Sequence, residues 1–183
     1  ATHELRDKQA AEIRKWVDVA QKLGAGHIRV FGGNIPKGSS EAEAATWVVE
    51  TLKASEPYAA EKGVILGLEN HGGVTDRAAT IIDIVKRVNS PWVMVNLDTG
   101  NFKTQVGKQV DMLLPHAANV QLKAEITEDG VKREADWEPV FRSLASSGYR
   151  GYVALEYEAS EAPATAVPKL SKRLRELCSR HSS

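Results

Sequence analysis

Three short apolar runs of this chain end on a carboxylate: VILGLE on Glu69, VMVNLD on Asp98 and YVALE on Glu156. A fourth run, NVQLK, carries Gln121 and Lys123 where polar side chains are otherwise costly to bury. If these runs are parallel strands joined by helices, their acids collect along one edge of a sheet. Carboxylates gathered in that way repel one another unless a cation stands between them. The oxygen set Glu69, Asp98, Gln121 and Glu156 suits a hard or borderline divalent ion such as Mn²⁺ or Mg²⁺, and its lack of His and Cys speaks against a structural zinc site. Any one acid could instead cap the next helix, and Asp98-Thr99-Gly100-Asn101 also reads as an Asx turn. Three such acids with an inward glutamine favour a metal-centred active site. Gln121 and Lys123 are two positions apart, so they face the same side of their strand, with Lys123 nearer the catalytic end.

The elements that must position these groups alternate. An opening amphipathic helix places Ile13, Trp16, Val17, Ala20 and Leu23 on one stripe and stops at Gly24. Strand HIRVF (27–31), loop GGNIPKGSS and a helix over about 41–62 follow, with Ser39 and Ser40 as N-cap candidates and Gly63 as the stop. Then come VILGLE (64–69), a helix over about 76–88, WVMVNLD (92–98) and a short helix ending near Pro115. NVQLK (119–123), the long charged loop AEITEDGVKREA, a helix over about 136–147, YVALE (152–156) and a helix over about 165–180 complete the chain. Strands rich in Val, Ile and Leu, with no clean polar face, indicate a parallel sheet covered by helices. Five of them at roughly 25–37-residue spacing resemble successive units of a (β/α)8 TIM barrel, an α/β fold, in one domain over residues 1–183. The competing doubly wound sheet lacks support, because FGGNIPKGSS spaces its glycines wrongly for GxGxxG and no Walker A motif occurs.

The 183 residues suffice for one domain with a substantial core. With 24 basic and 24 acidic side chains interspersed, nothing suggests capture of nucleic acid or of an anionic membrane. The single cysteine, Cys178, excludes an internal disulfide framework and a cysteine-rich zinc site, and it is compatible with a cytoplasmic location. No apolar run approaches the roughly 18–20 residues of a membrane span, and no signal-peptide pattern opens the chain.

The segments GLENHGG, NLDTGNF, NVQLKAE and GYRGYVALEYE resemble the sugar-phosphate isomerase/epimerase superfamily with the xylose-isomerase-like TIM barrel. The resemblance implies a metal held by residues from the fifth to the eighth barrel strands, carried here by Glu69, Asp98, Gln121 and Glu156. Two positions depart from the family pattern: Gln121 stands where a seventh-strand His is usual, and Asn101 where a His often follows the sixth-strand Asp. It further implies that the first three strands are absent, so that these residues form the C-terminal portion of a longer enzyme or a piece completed by another chain, or a homo-oligomer. The absence of an initiator methionine and the opening helix accord with that expectation.

The implied reaction is isomerisation or epimerisation of a sugar or related ketose by proton transfer, Glu69 and Glu156 being the acid–base pair. Lys123 would bind a substrate oxygen, while Asn70, His71 and Asn101 would hydrogen-bond hydroxyls. Arg29 shares a strand face with His27 and Phe31 and is a further substrate-binding candidate; His27 itself, at a strand start, reads as structural. Trp16, Trp47, Trp92 and Trp137 read as core. The nearest enzymatic rival is a metal-dependent lyase of the 3-dehydroshikimate dehydratase type, and the non-catalytic alternative is a truncated barrel module. Apurinic-site endonucleases share the fold but need several histidine ligands, which this chain does not offer.

Overall fold

A computed structural model describes residues 2–181, and the chain forms two compact units that meet in sequence between Asn96 and Leu97. The first contains α1 (His3–Leu23), β1 (His27–Phe31), α2 (Glu41–Lys62), β2 (Ile65–Glu69), α3 (Ala78–Val88) and the start of β3 (Val93–Asp98). β1, β2 and β3 pair in parallel, with Phe31 opposite Glu69 and Glu69 opposite Asn96. The expected strands and helices of this half fall within two residues of their sequence assignments. Ser40 and Glu43 close a reciprocal capping box at the start of α2, and Gly63 ends that helix with the left-handed φ of 68° that glycine adopts without strain.

Packing corrects one expectation. The buried stripe of α1 is Ala10, Val17 and Ala20, whereas Trp16 and Leu23 are 57% and 78% exposed. The burying ridge is made of small residues and is rotated past the large ones, so that α1 lies close against α2; Arg6–Glu50 and Tyr58–Asp18 pairs tie the two helices at the flanks. Of the four tryptophans only Trp137 is fully buried, with Trp47 and Trp92 half-buried.

The second unit contains the end of β3, α4 (Val106–Leu113), a 3₁₀ turn (Leu114–His116), β4 (Ala117–Lys123), β5 (Glu125–Glu128), β6 (Val131–Glu134), α5 (Trp137–Ser147), β7 (Tyr152–Glu156) and α6 (Pro163–His181). The amide of Thr99, just past β3, donates to the carbonyl of Gln121 on β4 at 3.0 Å. β4 pairs with β7 in parallel, placing Gln121 opposite Ala154 and Lys123 opposite Glu156.

The charged loop expected after β4 is instead an antiparallel hairpin, β5–β6. Its turn is Asp129-Gly130, both at positive φ (50° and 81°), which is the two-residue geometry that suits the twist of a hairpin. Cross-strand pairs of opposite charge, Lys132 with Glu125 and Arg133 with Glu128, hold the strands without an apolar face. No helix among the described residues is long and apolar enough to cross a membrane.

Candidate functional site

In the first unit, β2 is buried along its final four residues and delivers Glu69 to its C-terminal end with no exposure. Arg29 on β1 brings its Nε to 3.4 Å from Glu69 Oε2, and its guanidinium lies 4.7 Å from the centre of the Phe31 ring. The Phe31 ring in turn meets His71 edge to face at 4.9 Å. Arg29 therefore compensates a buried carboxylate while stacking on an aromatic side chain, two tasks its planar cation performs together.

The loop carrying Asn70 and His71 is fixed by its backbone. His71 donates its amide to Thr75 Oγ1 at 3.1 Å, and Val74 donates to the Gly33 carbonyl at 3.0 Å. Gly73 sits at φ 56°, where a Cβ would collide with that same carbonyl, so only glycine allows the approach. Asn70 is buried and His71 exposed. His27 lies low on β1 against Gly67, and burial depresses its pKa, in keeping with a neutral structural side chain. Phe31, the last residue of β1, joins Arg29 and His71 through its ring, a role that its place at a strand end signals only weakly in the sequence.

In the second unit, Asp98, Gln121, Lys123 and Glu156 form one connected cluster. Asp98 is fully buried; its Oδ1 accepts the Gly100 amide at 2.7 Å and its Oδ2 lies 3.2 Å from Lys123 Nζ. The Asx-turn reading and the charge-cluster reading of Asp98 thus hold together, one oxygen serving each. Glu156 Oε2 accepts from Gln121 Nε2 at 2.8 Å and lies 3.1 Å from Lys123 Nζ. Gln121 and Lys123 both reach Glu156, as their two-residue spacing requires. Asn101 stands half-buried in the loop beyond Asp98.

Several features fix Lys123 in place. Its amide donates to Thr99 Oγ1 at 3.1 Å, its carbonyl accepts from the Trp137 indole at 2.8 Å, and its stem runs against Gly100, where a Cβ would lie 2.6 Å from Lys123 Cγ. Its ammonium also meets a carboxylate outside the expected set, Glu158 Oε2, at 2.6 Å. Glu158 follows Glu156 by two positions, beyond the last residue of β7.

The electrostatics follow from burial. Desolvation pushes the Asp98 carboxyl up to about 7, with nearby Glu156 acting in the same sense; the Gly100 amide and the Lys123 charge oppose the rise but do not cancel it. Burial disfavours the Lys123 ammonium, yet the Glu158 hydrogen bond and the charges of Asp98 and Glu156 outweigh it and hold its pKa above the ordinary lysine value. One ammonium is thus shared by three acids, and the most buried of them is incompletely compensated. Such a cluster accepts further positive charge. Its oxygen donors, two carboxylates and an amide, match a hard divalent cation better than a soft one.

A family model described as "Xylose isomerase-like TIM barrel" matches residues 2–177. The chain is 32% identical over 148 residues to an inosose dehydratase of Erwinia tasmaniensis, an alignment covering 66% of this chain and 49% of that protein. Among solved structures, a D-tagatose 3-epimerase-like protein superposes with a TM-score of 0.81 at 20% identity, over 100% of this chain and 74% of the other. The IOLI protein with a bound zinc atom gives a TM-score of 0.80 at 16% identity, covering 100% and 73%. These structural likenesses speak to the fold. The chain spans about half the length of the curated relatives it matches, 49% and 56%.

Proposed function

The chain belongs to the xylose isomerase-like TIM barrel family, and from that premise we propose that it acts as a divalent-cation-dependent isomerase or epimerase of a sugar or related ketose. In this reading its five parallel strands are part of an eight-stranded barrel in one domain. Glu69, Asp98, Gln121 and Glu156 hold one Mn²⁺ or Mg²⁺. The observation that carries the reading is the buried, undercompensated Asp98 at the end of β3, bound into a cluster with Glu156 and Gln121. The inclusion of Glu69 rests on the family pattern and on its own setting, a fully buried carboxylate at the C-terminal end of β2.

The cation would supply Lewis-acid polarisation of a ketose carbonyl, making the neighbouring C–H more acidic. The chain's own residues do the rest. Glu69 removes a proton from that carbon and Glu156 returns one, or the reverse, each held ready by a basic neighbour, Arg29 and Lys123 respectively. Lys123 also offers an ammonium proton to the substrate oxygen on which negative charge develops. Asn70, His71 and Asn101 hydrogen-bond hydroxyls, and Arg29 with Phe31 lines the approach.

A second reading has a specific observation in its favour: the relative at 32% identity is named a dehydratase. Elimination begins with the same proton abstraction but expels water instead of reprotonating carbon. Incubation with a panel of ketoses and inosose-type polyol ketones in D₂O, with and without Mn²⁺, distinguishes the outcomes. Metal-dependent deuterium incorporation beside the carbonyl supports the isomerase or epimerase. Loss of water with formation of an unsaturated or dicarbonyl product favours the lyase. Neither exchange nor elimination across the panel contradicts both.

A further inference from the structure

Lys123 poses a problem for a cation site. Its ammonium lies 3.2 Å from Asp98 Oδ2 and 3.1 Å from Glu156 Oε2, on two oxygens proposed above as ligands, and only 7% of the side chain is exposed. A divalent ion on those oxygens would be repelled by a positive charge seated on the same oxygens. The stem of Lys123 has little freedom, pinned against Gly100 with its backbone held by Thr99 and Trp137. Its head, however, has a third acceptor.

Glu158 Oε2 makes the shortest of the three contacts with the ammonium, 2.6 Å, and its side chain is 67% exposed. Glu158 is two positions beyond the end of β7 and is not among the expected ligands.

We infer that Glu158 is a positioning residue that draws the Lys123 ammonium off Asp98 and Glu156, and so sets the affinity of the site for its divalent cation. The inference rests on the metal reading above and adds a residue to it. Without the Glu158 carboxylate, the ammonium's remaining acidic partners named above are the buried Asp98 and the half-buried Glu156, and it competes with the cation for them. With Glu158 present, the ammonium keeps a charge-assisted bond while the strand-end oxygens turn to the ion.

Isothermal titration with Mn²⁺ alone tests this on four proteins: the wild type, Glu158→Gln, Lys123→Met and the double variant. Glu158→Gln should weaken Mn²⁺ binding by roughly tenfold or more, the scale of a lost outer-shell partner. Lys123→Met should bind at least as tightly as wild type. In the Lys123→Met background the Glu158→Gln change should have little further effect, because its target is gone. Glu158→Gln is a change at an exposed side chain, so its fold is secure even if Lys123→Met is destabilised, and Glu158→Asp should recover part of the affinity. Unchanged Mn²⁺ affinity in Glu158→Gln overturns the inference. So does an equal loss from Glu158→Gln with and without Lys123, which would mean simple loss of negative charge. Absence of Mn²⁺ binding by the wild type would overturn the metal reading itself and this inference with it.

Discussion

Replacing Lys123 by methionine is expected to destabilise the protein in the absence of divalent metal by about 3–5 kcal/mol, the range for removing one partner of a buried ion pair. The variant keeps the length and most of the volume of the stem that packs on Gly100, so the loss reports charge more than packing. Asp98 and Glu156 then face each other without their shared ammonium. The loss should depend on pH with a definite sign. A carboxyl raised to about 7 in the folded protein against an ordinary value near 3.8 is least costly when protonated. Removing the Lys123 charge raises this carboxyl further, so the added penalty is small where Asp98 is protonated in both proteins. It grows as pH rises through about 7, where the wild-type carboxyl ionises and the variant's does so less readily. Lys123→Met should therefore lose less stability at pH 6 than at pH 8, by urea denaturation at both. Added Mn²⁺ should restore more stability to the variant than to the wild type. Equal losses at the two pH values would remove Asp98 as the source.

The second large effect concerns the ion. Asp98→Asn should abolish measurable Mn²⁺ binding, a greater loss than the roughly 10–100-fold cost of removing an outer partner. In the wild type, binding should weaken as pH falls below about 7, because the ion must then displace the Asp98 proton. From pH 7.5 to pH 6 the apparent affinity should fall by roughly an order of magnitude. Calorimetry at pH 6 in buffers of different ionisation enthalpy should register close to one proton released per ion. Binding that is unaffected by pH over this interval would place the ion away from Asp98.

Much of this was legible in sequence because parallel strands buried on both faces are unbroken apolar runs, so a terminal carboxylate stands out against Val, Leu and Ile. The ends of β2 at Glu69 and β3 at Asp98 stand on that contrast, whereas β1 and β7 are more exposed and are marked by their runs of β-branched and aromatic residues. Gly24, Gly63 and Gly148 marked helix ends for an equally local reason, a left-handed φ.

The hairpin β5–β6 was hidden because its strands are held by charge pairs and carry no apolar alternation, although Asp129-Gly130 was a turn signal in plain view. Trp16 was misplaced because periodicity defines a stripe only to within about one residue of rotation, and small side chains won the close helix contact. Glu158 could not be weighed from spacing alone. Its importance comes from the crowding of three acids on one ammonium, a three-dimensional fact. Lys123 was expected to meet substrate; its hold on Asp98, Glu156 and Glu158 adds an electrostatic task that its residue type did not reveal.

The most direct measurement is anomalous diffraction from crystals of the protein grown with Mn²⁺. A single strong manganese peak coordinated by oxygens of Glu69, Asp98, Gln121 and Glu156, with the Lys123 ammonium on Glu158, is the predicted result. Manganese bound elsewhere, or no peak while Lys123 remains seated on Asp98 and Glu156 at saturating metal, would contradict it.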